Sequence, residues 1–179
     1  MIFRVLLGAL ALWSGLAHAQ DSYPWQLQFK TAERTVELSE MAGEPLLLSF
    51  FFTSCPYACP MQTANLRQAQ KNLPEQVKEG TRFVSISIDP KRDSVKKIDT
   101  FAKRHGVDDS HWFFGRAENP QLQELLDKLA LETVGEGDEL DHQMSVFLIN
   151  GAGQVVQRYV GDSLEPVRVA RDITYLTHN

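Results

Sequence analysis

The residues of this sequence best suited to chemistry are its two cysteines, Cys55 and Cys59, which lie four positions apart. They follow a run, 46–52, that is apolar except for Ser49, and each of them precedes a proline. A cysteine pair at this spacing can form a structural disulfide, act as a redox couple or supply two thiolates to a metal ion. A disulfide here would close a very short loop and constrain little of the unfolded chain, which favours the redox and metal interpretations.

Pro60 predicts where the cysteine pair lies in the fold. Proline has no N–H and its ring clashes with the carbonyl four residues earlier, so Pro60 fits only the first turn of the helix that follows. We therefore expect the two cysteines at a strand-to-helix junction, near free N–H groups and the positive end of the helix dipole. This environment favours thiolates, and a compact loop would bring the two sulfurs close enough to bridge or to share a metal ion.

A third metal ligand would come from one of the five histidines. His142 is the candidate, because it lies where an irregular acidic loop turns into the buried strand predicted over 145–149. In an open sheet, the loops beside the first buried strand meet the ligand. By position alone, His142 either faces the cysteines or occupies an ordinary loop position. Asp141 either orients the His142 ring or is simply a charged residue of the loop. The other histidines have simpler explanations in the leader, at a helix end, at a strand start and at the C terminus: His18, His105, His111 and His178.

The beginning of the chain has the pattern of a secretory signal peptide. Arg4 precedes an apolar run, 5–13. Ala17 and Ala19 are small residues at the two positions that a signal peptidase reads. The pattern predicts cleavage after residue 19. The alternative is an uncleaved anchor, but the apolar run is shorter than the ~20 residues that span a bilayer.

Residues 20–179 are expected to form a single soluble domain in the periplasm or another exported location. The chain of 179 residues is 43% hydrophobic and 23% charged, as is typical of one globular domain. Its formal net charge of -5 argues against nucleic acid as a partner, and no segment after the leader is apolar enough to span a membrane. Two cysteines in an oxidising compartment are too few for a disulfide framework, which leaves one bridge, one redox pair or ligands.

The order of elements predicts an α/β fold with a central mixed β-sheet flanked by helices on both faces. An N-terminal β-hairpin comes first, strands and helices then alternate as in parallel crossovers, and a closing hairpin adds antiparallel strands at one side. Strands are predicted at 25–29, 35–38, 46–52, 82–88, 111–114, 145–149 and 155–159. Helices are predicted around 64–73, from a cap at Asp93 or Ser94 to Gly106, from a cap at Asn119 through 129, and from Pro166 onward.

Three segments resemble the Sco/SenC proteins, the copper-handling assembly factors of cytochrome c oxidase. Residues 53–60 (TSCPYACP) resemble the TxCPxxCP signature, and 85–93 (SISIDPKRD) resemble the SVDPxxD segment. Residues 141–153 resemble the DHxxxxYLIxxxG segment. The resemblance implies a thioredoxin-like fold and one copper ion per chain, Cu(I) or Cu(II), held by two thiolates and one imidazole. Carried over by motif position, these ligands are Cys55, Cys59 and His142.

The resemblance and the residues leave two main functions open. The first is a copper metallochaperone that delivers copper to a cuproprotein, above all a subunit of cytochrome c oxidase, with a thioredoxin-like reductant or another copper chaperone as further partners. The second is a thiol-disulfide oxidoreductase that uses Cys55 and Cys59 to keep the cysteines of a copper protein reduced, so the question of enzyme activity stays open. The CxxxC spacing and the absence of proline between Pro120 and Pro166 disfavour general disulfide exchange. A thiol peroxidase is a weaker third idea.

Overall fold

A computed structural model of the chain describes residues 23–107, 110–134, 141–142, 144–161 and 164–178. For Val134, Asp141 and His142 it describes the backbone alone. The predicted signal peptide and most of the acidic loop before Asp141 lie outside the described residues, so both stay predictions.

The described chain contains nine strands and five α-helices. The strands are β1 Gln28–Lys30, β2 Thr35–Glu37, β3 Leu46–Phe51, β4 Arg82–Ser87, β5 Trp112–Ala117, β6 Thr133–Val134, β7 Asp141–His142, β8 Ser145–Ile149 and β9 Val155–Val160. The helices are α1 Ala58–Lys71, α2 Glu75–Glu79, α3 Val95–Arg104, α4 Asn119–Lys128 and α5 Pro166–Thr177, and a 3₁₀ turn spans Leu38–Met41.

Seven strands form one mixed sheet in the order β2-β1-β5-β4-β3-β8-β9, and β6 pairs with β7 in a separate ribbon. Strands β3, β4 and β5 are parallel, whereas β8 and β9 at one side and β1 and β2 at the other are antiparallel. Every residue of β3 and β8 is buried. Helices cover both faces of the central strands, so neither face is open to solvent. The predicted α/β architecture with its N-terminal hairpin is confirmed.

Two predicted helix starts differ in detail from the observed ones. Asn119 is not the cap of α4 but its first residue, since the extended residue is Glu118, and the boundary therefore moves by one position. Of the two caps offered for α3, the structure has Ser94, whose Oγ accepts the N–H of Lys97 at 3.3 Å. Asp93 turns inward instead. The short helix α2 has no counterpart in the prediction.

The segment before β1 is bound to the turn between β8 and β9. The indole Nε1 of Trp25 donates to the carbonyl oxygen of Gly153 at 2.8 Å. This contact joins the first described residues to the far end of the sheet, 128 positions later. Within the described residues, no helix is both long enough and apolar enough to cross a membrane.

Candidate metal centre

The two cysteines lie on either side of the start of α1. Strand β3 ends at Phe51 and α1 begins at Ala58, so Cys55 lies in the connection and Cys59 is the second helical residue. Pro60 is the third helical residue, where its missing N–H costs no helical hydrogen bond. The strand-to-helix junction predicted from Pro60 is confirmed.

The two sulfurs are neighbours, but their surroundings differ. Both cysteines are free thiols, and the backbone N–H of Cys59 donates to Sγ of Cys55 at 3.2 Å. Cys55 retains 9% of its surface, whereas Cys59 retains 1%. Both cysteines are therefore buried, and Cys59 more completely than Cys55.

This arrangement separates the acidities of the two thiols. The pKa of Cys55 is lowered to about 6, chiefly because the Cys59 thiol hydrogen-bonds to its sulfur, with help from the N–H groups of Tyr57, Ala58 and Cys59 against the opposing effect of burial. The pKa of Cys59 is raised by the same hydrogen bond, by burial, and by the negative charges of Cys55 and Asp93. Near neutral pH the pair therefore carries one thiolate, on Cys55, and one thiol.

A buried carboxylate holds the loop that leads to Cys55. Asp93, with 2% of its surface exposed, accepts the N–H of Thr53 at 2.9 Å and also the Thr53 hydroxyl. The Ser87 hydroxyl donates to the same carboxylate at 2.6 Å. Asp93 thus joins the ends of β3 and β4 two residues before the first cysteine. In the sequence Asp93 resembles only a helix cap or a motif residue, and its place in the 85–93 motif is the one signal of this role.

A second group of contacts, made by residues at the end of β4 and just after it, supports the same loop. The Nε of Arg92 pairs with the carboxylate of Asp89, and an Nη of Arg92 donates to the Ser54 hydroxyl at 3.4 Å. The Ser87 hydroxyl accepts the N–H of Asp89 at 3.1 Å. The residues just before Cys55 are therefore positioned by the segment between β4 and α3, which is far away in sequence.

On the helix side, α1 is fixed to the sheet beside the cysteines. The side-chain amide of Gln62 donates to the carbonyl oxygen of Phe50 at 3.1 Å, and the Thr63 hydroxyl donates to the carbonyl oxygen of Cys59 at 2.8 Å. Both side chains are buried. The first turn of α1, which carries Cys59, thus has a defined position relative to β3.

The predicted third ligand is located by its backbone only. His142 lies in β7, opposite Thr133 of β6. Among the side chains that the structure describes, no three His, Cys, Asp or Glu residues are grouped to hold a metal ion. His142 is not one of those side chains, so its role as a ligand stays a prediction. Of the three proposed ligands, the structure describes the side chains of the two cysteines.

Three other histidines lie where the sequence predicts them, at a helix end, before a strand and near the C terminus. His105 follows the last residue of α3, with its ring centroid 4.5 Å from that of Phe101. His111 precedes β5 and its ring contacts the guanidinium of Arg82. His178 follows the end of α5 and is exposed. His18 lies outside the described residues.

Comparison with known proteins identifies the family. The SCO1/SenC family model matches residues 17–178. This chain belongs to the SCO1/SenC family. The SCO1/SenC chain is 31% identical over 132 residues to the SCO1 protein homolog of Bacillus subtilis, a match that covers 72% of this chain and 68% of the relative. It is also 30% identical over 121 residues to a Stutzerimonas stutzeri protein whose name proposes that it binds copper, covering 64% of this chain and 57% of that protein.

A solved structure supports the fold of this SCO1/SenC protein. BsSco, described as a member of the Sco family of cytochrome c oxidase assembly proteins that contains a disulfide switch, is 26% identical to it with a TM-score of 0.68. The match covers 86% of this chain and 90% of BsSco. The thioredoxin-like fold implied by the resemblance is confirmed.

Proposed function

We propose that this SCO1/SenC protein is a periplasmic metallochaperone that binds one copper ion and delivers it to a cuproprotein, above all the copper site of cytochrome c oxidase. The copper ion is the cargo, and its ligands are Cys55, Cys59 and His142. The observation that carries the proposal is the cysteine pair at the start of α1, where the backbone N–H of Cys59 donates to Sγ of Cys55 at 3.2 Å.

The donor set fits copper. Thiolates are soft ligands that select Cu(I), and an added imidazole also accommodates Cu(II). Because the pKa of Cys55 is about 6, binding at neutral pH has to release only the proton of Cys59. Two relatives point the same way, since one carries a name that proposes copper binding and another is described as an oxidase assembly protein.

The experiment is a copper titration of reduced residues 20–179. Cu(I) affinity is measured against a competing chelator and Cu(II) binding by absorption spectra, for the wild type, Cys55→Ser, Cys59→Ser and His142→Ala. His178→Ala is the matched control, because it removes an exposed histidine that follows the last helix and belongs to no proposed ligand set. We expect one tightly bound ion per wild-type and control chain, and at least about tenfold weaker binding in His142→Ala. Wild-type affinity in His142→Ala would show that the three-ligand site is wrong.

A second candidate function, thiol-disulfide exchange, is favoured by the unequal burial and unequal acidity of the two cysteines. The Cys55 thiolate attacks a disulfide of the partner, a mixed disulfide forms, and one partner thiolate leaves. The Cys59 sulfur, after losing its proton, then attacks Cys55. This step closes the Cys55–Cys59 disulfide and releases the second partner thiolate, so the pair supplies both electrons. A thioredoxin-like dithiol reductant would restore the two thiols.

The two functions respond differently to substitution. Exchange requires both cysteines but not His142, so His142→Ala should keep its rate while losing copper affinity. Cys59→Ser should accumulate the mixed disulfide with a disulfide-bonded peptide from the oxidase copper site, detected by mass spectrometry. If wild-type protein reduces that peptide no faster than Cys55→Ser does, exchange is not a function of this chain.

A further inference from the structure

Two methionines that the structure describes, Met61 and Met144, line the same cavity. In the part of the chain that the structure describes, methionine occurs at positions 41, 61 and 144, and Met41 is buried in the core at 2% exposure. Met61 and Met144 both line a cavity of about 240 Å³. Its other lining residues are Gln62, Asn65, Val146, Tyr159, Gly161 and Leu164, none of which is charged.

The cavity lies beside the candidate copper centre. Gln62 is in its wall and follows Cys59 by three residues on the same side of α1. Met144 is two residues after His142, and its carbonyl oxygen accepts the N–H of Gly161 at 2.9 Å, which fixes this stretch against β9. The two chain segments that carry the proposed ligands thus also form two walls of the cavity.

Thioethers differ from thiolates in ways that suit a transient copper site. They are soft and favour Cu(I), but they carry no charge, need no deprotonation and do not form disulfides. Met61 is 47% exposed, so an ion can reach its sulfur from solvent or from a donor protein. Met144 is half-buried.

We propose that Met61 and Met144 form an outer Cu(I) site of two thioethers, from which the ion passes to Cys55 and Cys59. The inference rests on the proposed function. Copper stays Cu(I) throughout: the thioether bonds break, bonds to the two sulfurs of the cysteines form, and the Cys59 proton goes to solvent. An outer site of this kind holds copper even while the cysteines are oxidised and unable to bind it.

The outer site is tested in a chain that lacks the three proposed ligands of the copper centre, with the substitutions Cys55→Ser, Cys59→Ser and His142→Ala. This variant should bind one Cu(I) weakly, with an affinity that does not change between pH 5.5 and 7.5. Adding Met61→Leu or Met144→Leu should abolish the binding. The matched control adds Met41→Leu, which leaves the binding intact. These are volume-conserving replacements, so the fold should be retained, and circular dichroism checks it.

A spectroscopic measurement identifies the ligands directly. In selenomethionine-labelled protein, selenium-edge absorption should show a copper–selenium distance that disappears with Met61→Leu or Met144→Leu and persists with Met41→Leu. In otherwise wild-type protein, the same two replacements should slow copper loading of the cysteines without changing their final affinity.

Two results overturn the outer site: no Cu(I) binding by the variant that lacks cysteines, or a copper–selenium signal that survives both replacements. Slower complex formation with an oxidase copper domain in the absence of copper would assign the two methionines to protein docking instead. Failure of the cysteine site is seen separately in the wild-type titration. The outer site and the proposed function can therefore fail independently.

Discussion

The backbone N–H of Cys59 donates to Sγ of Cys55 at 3.2 Å, so the first turn of α1 stabilises negative charge on the loop sulfur. The Cys59 thiol adds a second hydrogen bond to the same atom, which is the largest cause of the lowered Cys55 pKa. The hydrogen bond between the two side chains thereby lowers the pKa of Cys55 and raises the pKa of Cys59. This asymmetry underlies both proposed chemistries, because a thiolate is the form that binds copper and the form that attacks disulfides.

The reactivity of Cys55 should report this asymmetry. In the reduced protein, the rate of Cys55 alkylation by iodoacetamide should rise with a midpoint near pH 6, as its pKa is about 6. Cys59 should stay unmodified at that pH, because its pKa is raised and it is buried. Mass spectrometry of peptides separates the two sites. Cys59→Ala removes the thiol donor and should move the midpoint upward; an unchanged midpoint in that variant would contradict the assigned cause.

The same pKa shifts predict how stability depends on pH. The folded pKa of Cys55 lies below its ordinary value of 9.0, so its stabilising contribution is complete above pH 9 and is lost as the pH falls through 6. Cys59 has a raised pKa and acts oppositely, losing its contribution above pH 9. Urea unfolding of reduced protein, compared with Cys55→Ser, should therefore show a free-energy advantage that grows from pH 6 to 9. An advantage that is constant over this range would refute the linkage.

Asp93→Asn should destabilise the protein by about 2 to 4 kcal/mol, since an amide faces three donors that now share one oxygen acceptor. The matched control is Asp99→Asn on α3, which breaks an i,i+4 pair with Lys103 and should cost about 0.5 kcal/mol. Urea unfolding gives both values. Because Asp93 holds Thr53, the Asp93 variant should also bind copper more weakly. Equal costs in the two variants would show that the buried network contributes little.

Gly153→Ala should cost about 2 to 4 kcal/mol in unfolding free energy. Gly153 has φ of +82°, and an added Cβ would lie 2.4 Å from Cδ of Pro24. Gly161→Ala is the control, because Gly161 also has a positive φ of +55° but no atom within 4 Å of the added Cβ. Only backbone strain of about 1 kcal/mol is expected there. A similar loss in both variants would mean that the contact with Pro24 relaxes without cost.

Export should remove the first 19 residues. We expect the protein isolated from the periplasm to begin at Gln20, as judged by its intact mass. Replacing Ala17 and Ala19 together by Arg should block this processing, because the peptidase requires small side chains at these two positions. Retention of residues 1–19 in the wild type, together with membrane association, would show that the segment is an anchor.

Much of the fold could be predicted because its signals are local in sequence. The apolar run at 46–52 predicted a strand covered on both faces, and β3 is buried at every residue. Turn residues at 150–153 predicted the hairpin of β8 and β9. Pro60 placed both cysteines at the junction of strand and helix. In each case a few adjacent residues restrict the backbone or require burial, so the pattern needs no knowledge of distant chain.

Contacts between distant segments could not be predicted, because no local pattern states which segments pair. Strand β1 extends the sheet by pairing with β5, some ninety residues later, where Phe29 lies opposite Ala117. Asp93 resembled a helix cap in sequence, yet it binds Thr53 across 40 positions. The loop predicted only that the sulfurs would be near each other. Their unequal burial and acidity were decided by packing, since hydrogen bonds and desolvation depend on what the fold brings around each atom.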